Sequence, residues 1–386
     1  KSNMPEIIQI FISDKNFSNS TDFEKKLFVL RKIVENRFNS NNISSDAQKN
    51  FYICSLSCRT LIYKGLFTPE QLELFYPDLC QEDLISGFSM VHARFSTNTL
   101  GTWKLAHPYR YVVHNGEINT VRGNRNWMKA REASLSKNHL TEYFPELFPI
   151  CEDDASDTAS FDNVFELLTI SGRPIEHVMA MMIPEAWYGH ETMSQKRKDF
   201  YEYHSYSMEP WDGPALMVCT DGLKVGAVLD RNGLRPFRYT VTTDGLLVMS
   251  SETGVIDVPP ERIEYRSRLA PGRMFLIDFD EGRIIDDQEI KNNLSEKQPY
   301  GDWIKEKTTR LDQLNLIPPI IKLEHSLLTN QQIFGYSQED LRILMGPMAE
   351  TSKEPVGSMG NDTPLPVLSD RPQNLFSFFK QLFAQV

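Results

Sequence analysis

The sequence has 386 residues, of which 40% are hydrophobic, enough for one large domain or one and a half ordinary ones. Its formal net charge of −11 argues against an extended phosphate-binding surface, so nucleic acid is not an expected partner. No apolar run approaches the roughly 20 residues that cross a bilayer, and the first residues lack the apolar segment of a secretory signal. We therefore expect no membrane partner and a cytoplasmic location.

The cysteines are odd in number and scattered, which is not typical of a disulfide framework. They predict a reducing compartment and small buried thiols rather than metal ligands. Cys54 lies in the strand-like run 51–56. The cysteines are Cys54, Cys58, Cys80, Cys151 and Cys219.

The first predicted element is an amphipathic helix over residues 21–37, capped by Ser20 or Thr21. Its apolar face is expected to contain Phe23, Leu27, Leu30, Ile33 and Val34. The next clear element is a strand over residues 109–114, which runs into the turn-forming dipeptide at 115–116.

Two helices and a series of strands follow. Residues 156–160 offer caps for a helix that buries Phe161, Val164, Leu167 and Leu168 and ends at Gly172, and a second helix near residue 175 stops at Pro184. Between residues 215 and 285, the dipeptides at 221–222, 232–233, 244–245 and 281–282 predict antiparallel hairpins. Helices before and between these strands favour an α+β stack of sheets covered by helices. The polar segment 286–307 indicates a boundary.

A few residues could form a site for glutamine. Arg94 has a planar guanidinium that suits a carboxylate. Asn115 and Gly116 could donate to an oxyanion, and Asp157 could accept from a substrate ammonium. Each residue alone also has a plainer interpretation: a salt bridge for Arg94, a turn for Asn115 and Gly116, and a helix cap for Asp157.

These residues stand in motifs that together resemble one family, the class II glutamine amidotransferase domain of glutamate synthase. The first two motifs are typical of the wider amidotransferase class, whereas MEPWDGP and the C-terminal motifs single out glutamate synthase. The matching segments are 92–99 (HARFSTNT), 114–119 (HNGEIN), 123–125 (GNR), 156–157 (SD), 208–214 (MEPWDGP), 230–236 (DRNGLRP), 354–360 (EPVGSMG) and 381–386 (QLFAQV).

The resemblance implies an N-terminal-nucleophile fold, an αββα four-layer sandwich, incomplete at its N-terminus. The expected domains are an amidotransferase domain over residues 1–305 and a linker with the start of an α/β central domain over residues 306–386. In the family a cysteine at the mature N-terminus attacks the glutamine amide. Because the sequence begins with Lys1, we expect an internal piece of a larger enzyme that is inactive alone.

The resemblance also implies roles for the site residues. Arg94 would bind the α-carboxylate of L-glutamine with Thr97 as a neighbour, and Asp157 would bind its α-ammonium. Asn115 and Gly116 would form the oxyanion hole. The segment 230–236 is expected to be mainly structural.

In the full enzyme of this family, ammonia from glutamine is channelled to a synthase site that converts 2-oxoglutarate to glutamate. The resemblance implies FMN and an iron–sulfur cluster there, but neither cofactor nor a metal in this chain. The expected partners are the remaining glutamate synthase domains and an electron-donating small subunit or ferredoxin, and a plastid location would apply in a photosynthetic eukaryote. The alternative is a catalytically inactive module that binds an amino acid or a partner subunit.

Overall fold

A computed structural model gives the structure of the chain. It describes residues 4–13, 15, 19–40, 51–93, 101–135, 140, 143, 146–153, 155–314, 325–355, 366–370, 372–373, 375 and 378, with backbone only at 39, 40 and 312. The chain divides into two compact units, Lys1–Thr308 and Thr309–Val386. Within the described residues, every helix is too short or too polar to cross a lipid bilayer.

Helices and antiparallel strands mix in the first unit, which confirms the predicted α+β class. Its described helices are α1 (Ser20–Ser40), α2 (Pro69–Phe75), α3 (Val121–Glu132), α4 (Asp157–Ile170), α5 (Ile175–Met182), α6 (Gln195–Ser205), α7 (Asp287–Glu296) and α8 (Tyr300–Lys307). Its strands are β1 (Val112–Gly116), β2 (Ala215–Thr220), β3 (Lys224–Leu229), β4 (Arg238–Thr242), β5 (Leu247–Ser250), β6 (Ile263–Arg268), β7 (Met274–Asp278) and β8 (Arg283–Ile285). The described part of the second unit contains helices Leu327–Ile333 and Gly346–Thr351 and the π-helix Asp340–Met345.

The strands form a five-stranded sheet of order β1-β2-β3-β7-β8 and a three-stranded sheet of order β5-β4-β6. Side chains alternate between the two faces of the larger sheet, as the two-residue repeat of a strand requires. On β2, Met217 and Cys219 join the core that includes α4 and α5, whereas Leu216 joins a second core with Phe237 and Phe275. Helices, the large sheet and the small sheet therefore form three successive layers.

The helices predicted at residues 156–172 and near 175 are confirmed. The side chain of Ser156 caps α4 by accepting a hydrogen bond from the Ala159 N–H at 3.1 Å. Phe161 and Val164 are fully buried, and Gly172 follows the helix with φ of 102°. The capping serine and the positive-φ glycine explain why both ends of this helix could be read from the sequence.

The predicted apolar face of α1 is confirmed only in part, because Leu27 is buried and Ile33 packs against the core. Leu30 and Val34, expected inside, are 40% and 38% exposed, and the cap is Asn19, whose side chain accepts from the Asp22 N–H at 2.8 Å. The buried face contains Arg31, which pairs with Glu35 at 2.7 Å and also with Glu166. A charge paired in this way can be buried, so the apolar pattern alone did not predict the whole buried face.

Three of the four predicted hairpins are confirmed, at 221–222, 244–245 and 281–282. The prediction at Asn232-Gly233 was wrong, because β3 pairs with β7 and the turn leads into the second sheet. The segment around Cys54 is not a strand, and Cys58 and Cys80 are exposed rather than buried. The prediction of small buried thiols holds for Cys151 and Cys219.

Candidate active site

The end of strand β1 is locked against the chain before β2. The N–H of Glu117 donates to the carbonyl of Pro214 at 3.1 Å, and the N–H of Asn119 donates to the carbonyl of Asp212 at 2.9 Å. Gly116 has φ of 140°, and a Cβ there would lie 1.7 Å from the Pro214 carbonyl oxygen. Only glycine fits at this position, because both the backbone angle and the close approach exclude a side chain.

A second glycine meets the same turn from the other side. A Cβ on Gly213 would lie 2.0 Å from the carbonyl oxygen of Glu117 and 3.0 Å from the amide nitrogen of Asn119. Thr120 adds a further contact, since its hydroxyl accepts from the Asp212 N–H at 2.9 Å. The turn after β1 therefore has a backbone conformation that is fixed from both sides.

Asp157 ties this turn to the start of helix α4. One carboxylate oxygen accepts from the N–H of Ile118 at 2.9 Å, and the other accepts from the N–H of Thr158 at 2.7 Å. Asp157 is half-buried, as are Asn115 and Gly116. The structure thus brings three of the predicted site residues to one place, while Arg94 and Thr97 lie outside the described residues.

His114 lies beside these groups and was not singled out from the sequence. Its Nδ1 is 2.8 Å from the Thr158 hydroxyl, and its side chain is buried. Burial lowers the pKa of His114 to about 4, with Asp157 opposing the effect and His92 and Arg235 adding to it. The imidazole is therefore neutral at neutral pH.

Arg125 is another residue whose part in the site was missed. Its Nε donates to the Ser160 hydroxyl at 2.8 Å, and its Nη2 donates to the carbonyl of Ser156 at 3.1 Å and to that of Ala155. These contacts join helix α3 to the first turn of α4, where Asp157 lies. The motif at 123–125 contains Arg125, but its partners lie about 30 positions away and could not be predicted from the motif.

Asp230 holds the chain that packs against the turn after β1. Its buried carboxylate accepts from the N–H groups of Ala215 at 3.1 Å, Asn232 at 2.9 Å and Leu234 at 3.3 Å. Ala215 is the residue of β2 that lies opposite Gly116 in the sheet. Asp230 therefore holds the start of β2, the strand against which the turn packs.

The described residues do not form a site that fits an iron–sulfur cluster. Within them, no group of three or more His, Cys, Asp or Glu side chains could hold a metal ion. Burial also raises the pKa of the Cys54, Cys151 and Cys219 thiols, that of Cys151 to about 12. A reactive cysteine needs the opposite shift, so these three thiols do not fit a nucleophile.

Comparison with known proteins defines the class. Residues 1–303 match the family described as glutamine amidotransferases class-II, and the chain belongs to this family. Residues 329–386 match the glutamate synthase central domain. The resemblance drawn from the sequence motifs is confirmed by these matches.

Relatives over nearly the whole chain are named glutamate synthase. The chain is 49% identical over 385 residues to the glutamate synthase [NADPH] large chain of Bacillus subtilis, covering 99% of this chain and 25% of that protein. It is 41% identical over 388 residues to the ferredoxin-dependent glutamate synthase of Antithamnion, covering 100% and 25%. It is 42% identical over 377 residues to the glutamate synthase [NADH] of Schizosaccharomyces pombe, covering 94% and 17%. The chain spans about a quarter or less of the length of these relatives.

Proposed function

We propose that the chain is the glutamine amidotransferase portion of a glutamate synthase polypeptide and takes part in the hydrolysis of L-glutamine to glutamate and ammonia. The observation that carries this proposal is the meeting of the Asn115-Gly116 turn with Asp157 at the start of α4. A turn that can donate to an oxyanion and a carboxylate that can bind an ammonium are the two halves of a glutamine site.

The proposed chemistry follows from the substrate. Attack of a thiolate on the side-chain amide of glutamine forms a tetrahedral intermediate, whose oxyanion accepts hydrogen bonds from the Asn115 side chain and the Gly116 N–H. Asp157 binds the α-ammonium, and Arg94 and Thr97 bind the α-carboxylate. These interactions fix the amide against the attacking sulfur, which removes much of the entropic barrier.

The nucleophile in this proposal is the N-terminal cysteine implied by the family resemblance, provided by the full-length polypeptide. The environments of Cys54, Cys151 and Cys219 support it, because their raised pKa values keep these thiols protonated. The site residues would then bind and polarise the substrate, and the cysteine would form the acyl-enzyme.

The proposed domain arrangement is an amidotransferase domain over residues 1–305 followed by a linker and the start of the central domain over residues 306–386. The αββα sandwich is part of the proposal, supported by the helix layer and the two facing sheets. The released ammonia would be channelled to a flavin-dependent site for reductive amination of 2-oxoglutarate. In this proposal the full-length polypeptide binds FMN and an iron–sulfur cluster, and an electron-donating small subunit or ferredoxin is its partner.

The test is Asn115→Ala in the full-length polypeptide. We expect kcat for glutamine-dependent ammonia release to fall about 10²- to 10³-fold, the usual cost of one oxyanion donor. Glutamate formation from added ammonium should be unchanged, because that reaction bypasses the amide. Asn119→Ala is the matched control, since the exposed Asn119 engages Asp212 through its backbone.

Full activity in Asn115→Ala would contradict the oxyanion role. Binding of glutamine with no ammonia release by the wild-type polypeptide would instead favour the alternative, a catalytically inactive module that binds an amino acid or a partner subunit.

A further inference from the structure

A short chain of hydrogen bonds lies behind the Asp157 carboxylate. The Thr158 hydroxyl donates to Asp157 Oδ1 at 3.3 Å, and the Nδ1 of His114 lies 2.8 Å from the same hydroxyl. Thr158 and His114 are only 3% and 4% exposed, so water does not compete for these contacts. Three elements meet here: strand β1, helix α4 and the turn that contains Ile118.

The hydroxyl of Thr158 has one proton, and this fixes the direction of the chain. If the hydroxyl donates to Asp157, it must accept from His114, and the single ring proton of the neutral imidazole must be on Nδ1. The opposite tautomer would place a proton on Nε2, which is buried and has no hydrogen-bond partner in the described structure. An orphaned buried N–H is rarer than an orphaned acceptor, so the Nδ1–H form is favoured.

Most hydrogen-bond acceptor sites of the Asp157 carboxylate are already occupied. An ionised carboxylate offers about four acceptor sites. Three are used by the N–H of Ile118, the N–H of Thr158 and the Thr158 hydroxyl. About one acceptor site remains for a ligand, and its direction is set by the groups that hold the other three.

We propose that His114 and Thr158 are positioning residues that aim the open acceptor site of Asp157 at the α-ammonium of glutamine, and so select an α-amino acid over an amide that lacks the amino group. This inference rests on the proposed function, in which Asp157 binds that ammonium. His114 and Thr158 act through Asp157 and touch no reacting atom.

The experiment compares two substrates in the full-length polypeptide. L-Glutamine has the α-ammonium, and glutaramate has the same amide and carboxylate without it. Thr158→Val removes the hydroxyl and keeps the shape. We expect kcat/KM for glutamine to fall about tenfold, mainly through KM, the effect of weakening one hydrogen bond to a charged group. The kcat/KM for glutaramate should stay within about twofold of the wild-type value.

Two controls separate positioning from packing. Thr158→Ser retains the hydroxyl and should restore the preference for glutamine. Thr169→Val makes the same change in the same helix, at a hydroxyl that donates to the Phe165 carbonyl at 2.9 Å, and should leave the preference unchanged. An equal loss for both substrates in Thr158→Val would show a purely structural role and overturn the proposal.

A second pair of variants tests the histidine directly and remains decisive if Thr158→Val does not fold. The amide of Asn reproduces a donor at the Nδ1 position, whereas that of Gln reproduces one at Nε2. We expect His114→Asn to retain the preference for glutamine over glutaramate. In His114→Gln the ratio of the two kcat/KM values should fall about tenfold. The reverse order would overturn the proposal.

The outcomes distinguish this inference from the proposed function. A wild-type polypeptide that hydrolyses glutamine and glutaramate equally well would contradict the role of Asp157 itself. A wild-type polypeptide that prefers glutamine, with a Thr158→Val variant that prefers it equally, would overturn only the positioning role.

Discussion

Gly213→Ala is the sharpest test of the locked turn, because Gly213 touches the turn without belonging to the proposed oxyanion hole. An alanine Cβ would lie 2.0 Å from the Glu117 carbonyl oxygen, whereas a relaxed C···O contact is about 3.4 Å. The backbone at Gly213 and at Glu117, the residue that follows Gly116, must therefore separate by roughly 1.4 Å. A misplacement of about 1 Å in a catalytic group can cost 10²-fold in rate.

In the full-length polypeptide, we expect Gly213→Ala to lower kcat for glutamine hydrolysis about 10²-fold. The change should also destabilise the fold by about 1–3 kcal/mol, the usual cost of overpacking. Ammonia release measures the first effect and urea unfolding the second. Gly123→Ala is the control, because a Cβ there meets nothing within 4 Å and the exposed helical site favours alanine by up to about 1 kcal/mol. Unchanged kcat in a folded Gly213→Ala variant would refute the locked turn.

Two further predictions concern stability. Burial lowers the pKa of His177 to about 4 and that of His204 to about 3, and their Nε2 atoms lie 2.9 Å apart. A histidine in the unfolded chain has a pKa near 6.5, so below that pH the unfolded state binds more protons than the folded state. Each of the two histidines therefore lowers the free energy of unfolding by about 1.4 kcal/mol per pH unit as the pH falls from about 6.5 to 4. Urea unfolding at pH 7 and 5 should show a smaller loss in His204→Phe than in wild type, and an equal loss would contradict the assignment. Asp230→Ala leaves three N–H groups without their acceptor and should lower the free energy of unfolding by about 3 kcal/mol or more. The control is Asp257→Ala at an exposed position, which should change the free energy of unfolding by less than about 0.5 kcal/mol. Equal effects of the two changes would refute the bracing role of Asp230.

Local signals account for the parts of the fold that the sequence predicted. The Asp-Gly pairs at 221–222 and 244–245 form tight turns between paired strands, and their glycines have φ of 85°. Ser156 and Gly172 mark helix α4 in the same local way. Such features depend on a few neighbouring residues, so a short stretch of sequence is enough to recognise them.

The missed features depend on distant partners. Arg31 is buried because Glu166, 135 positions away, pairs with it, and a periodicity argument treats both as surface residues. The interaction of Asp157 with the N–H of Ile118 is also long-range, although the motif named Asp157 as a site residue. Family motifs therefore named the candidate residues, while the structure was needed to show the contacts of His114, Thr158 and Arg125 around Asp157 and the first turn of α4.

In our proposal the turn after β1 and the start of α4 form one glutamine site. The most direct measurement is a crystal structure of the full-length polypeptide with L-glutamate bound. We expect the α-ammonium at about 3 Å from the Asp157 carboxylate, and a side-chain carboxylate oxygen at about 3 Å from both Asn115 Nδ2 and the Gly116 nitrogen. Glutamate bound with its side chain directed away from Asn115 and Gly116 would contradict it.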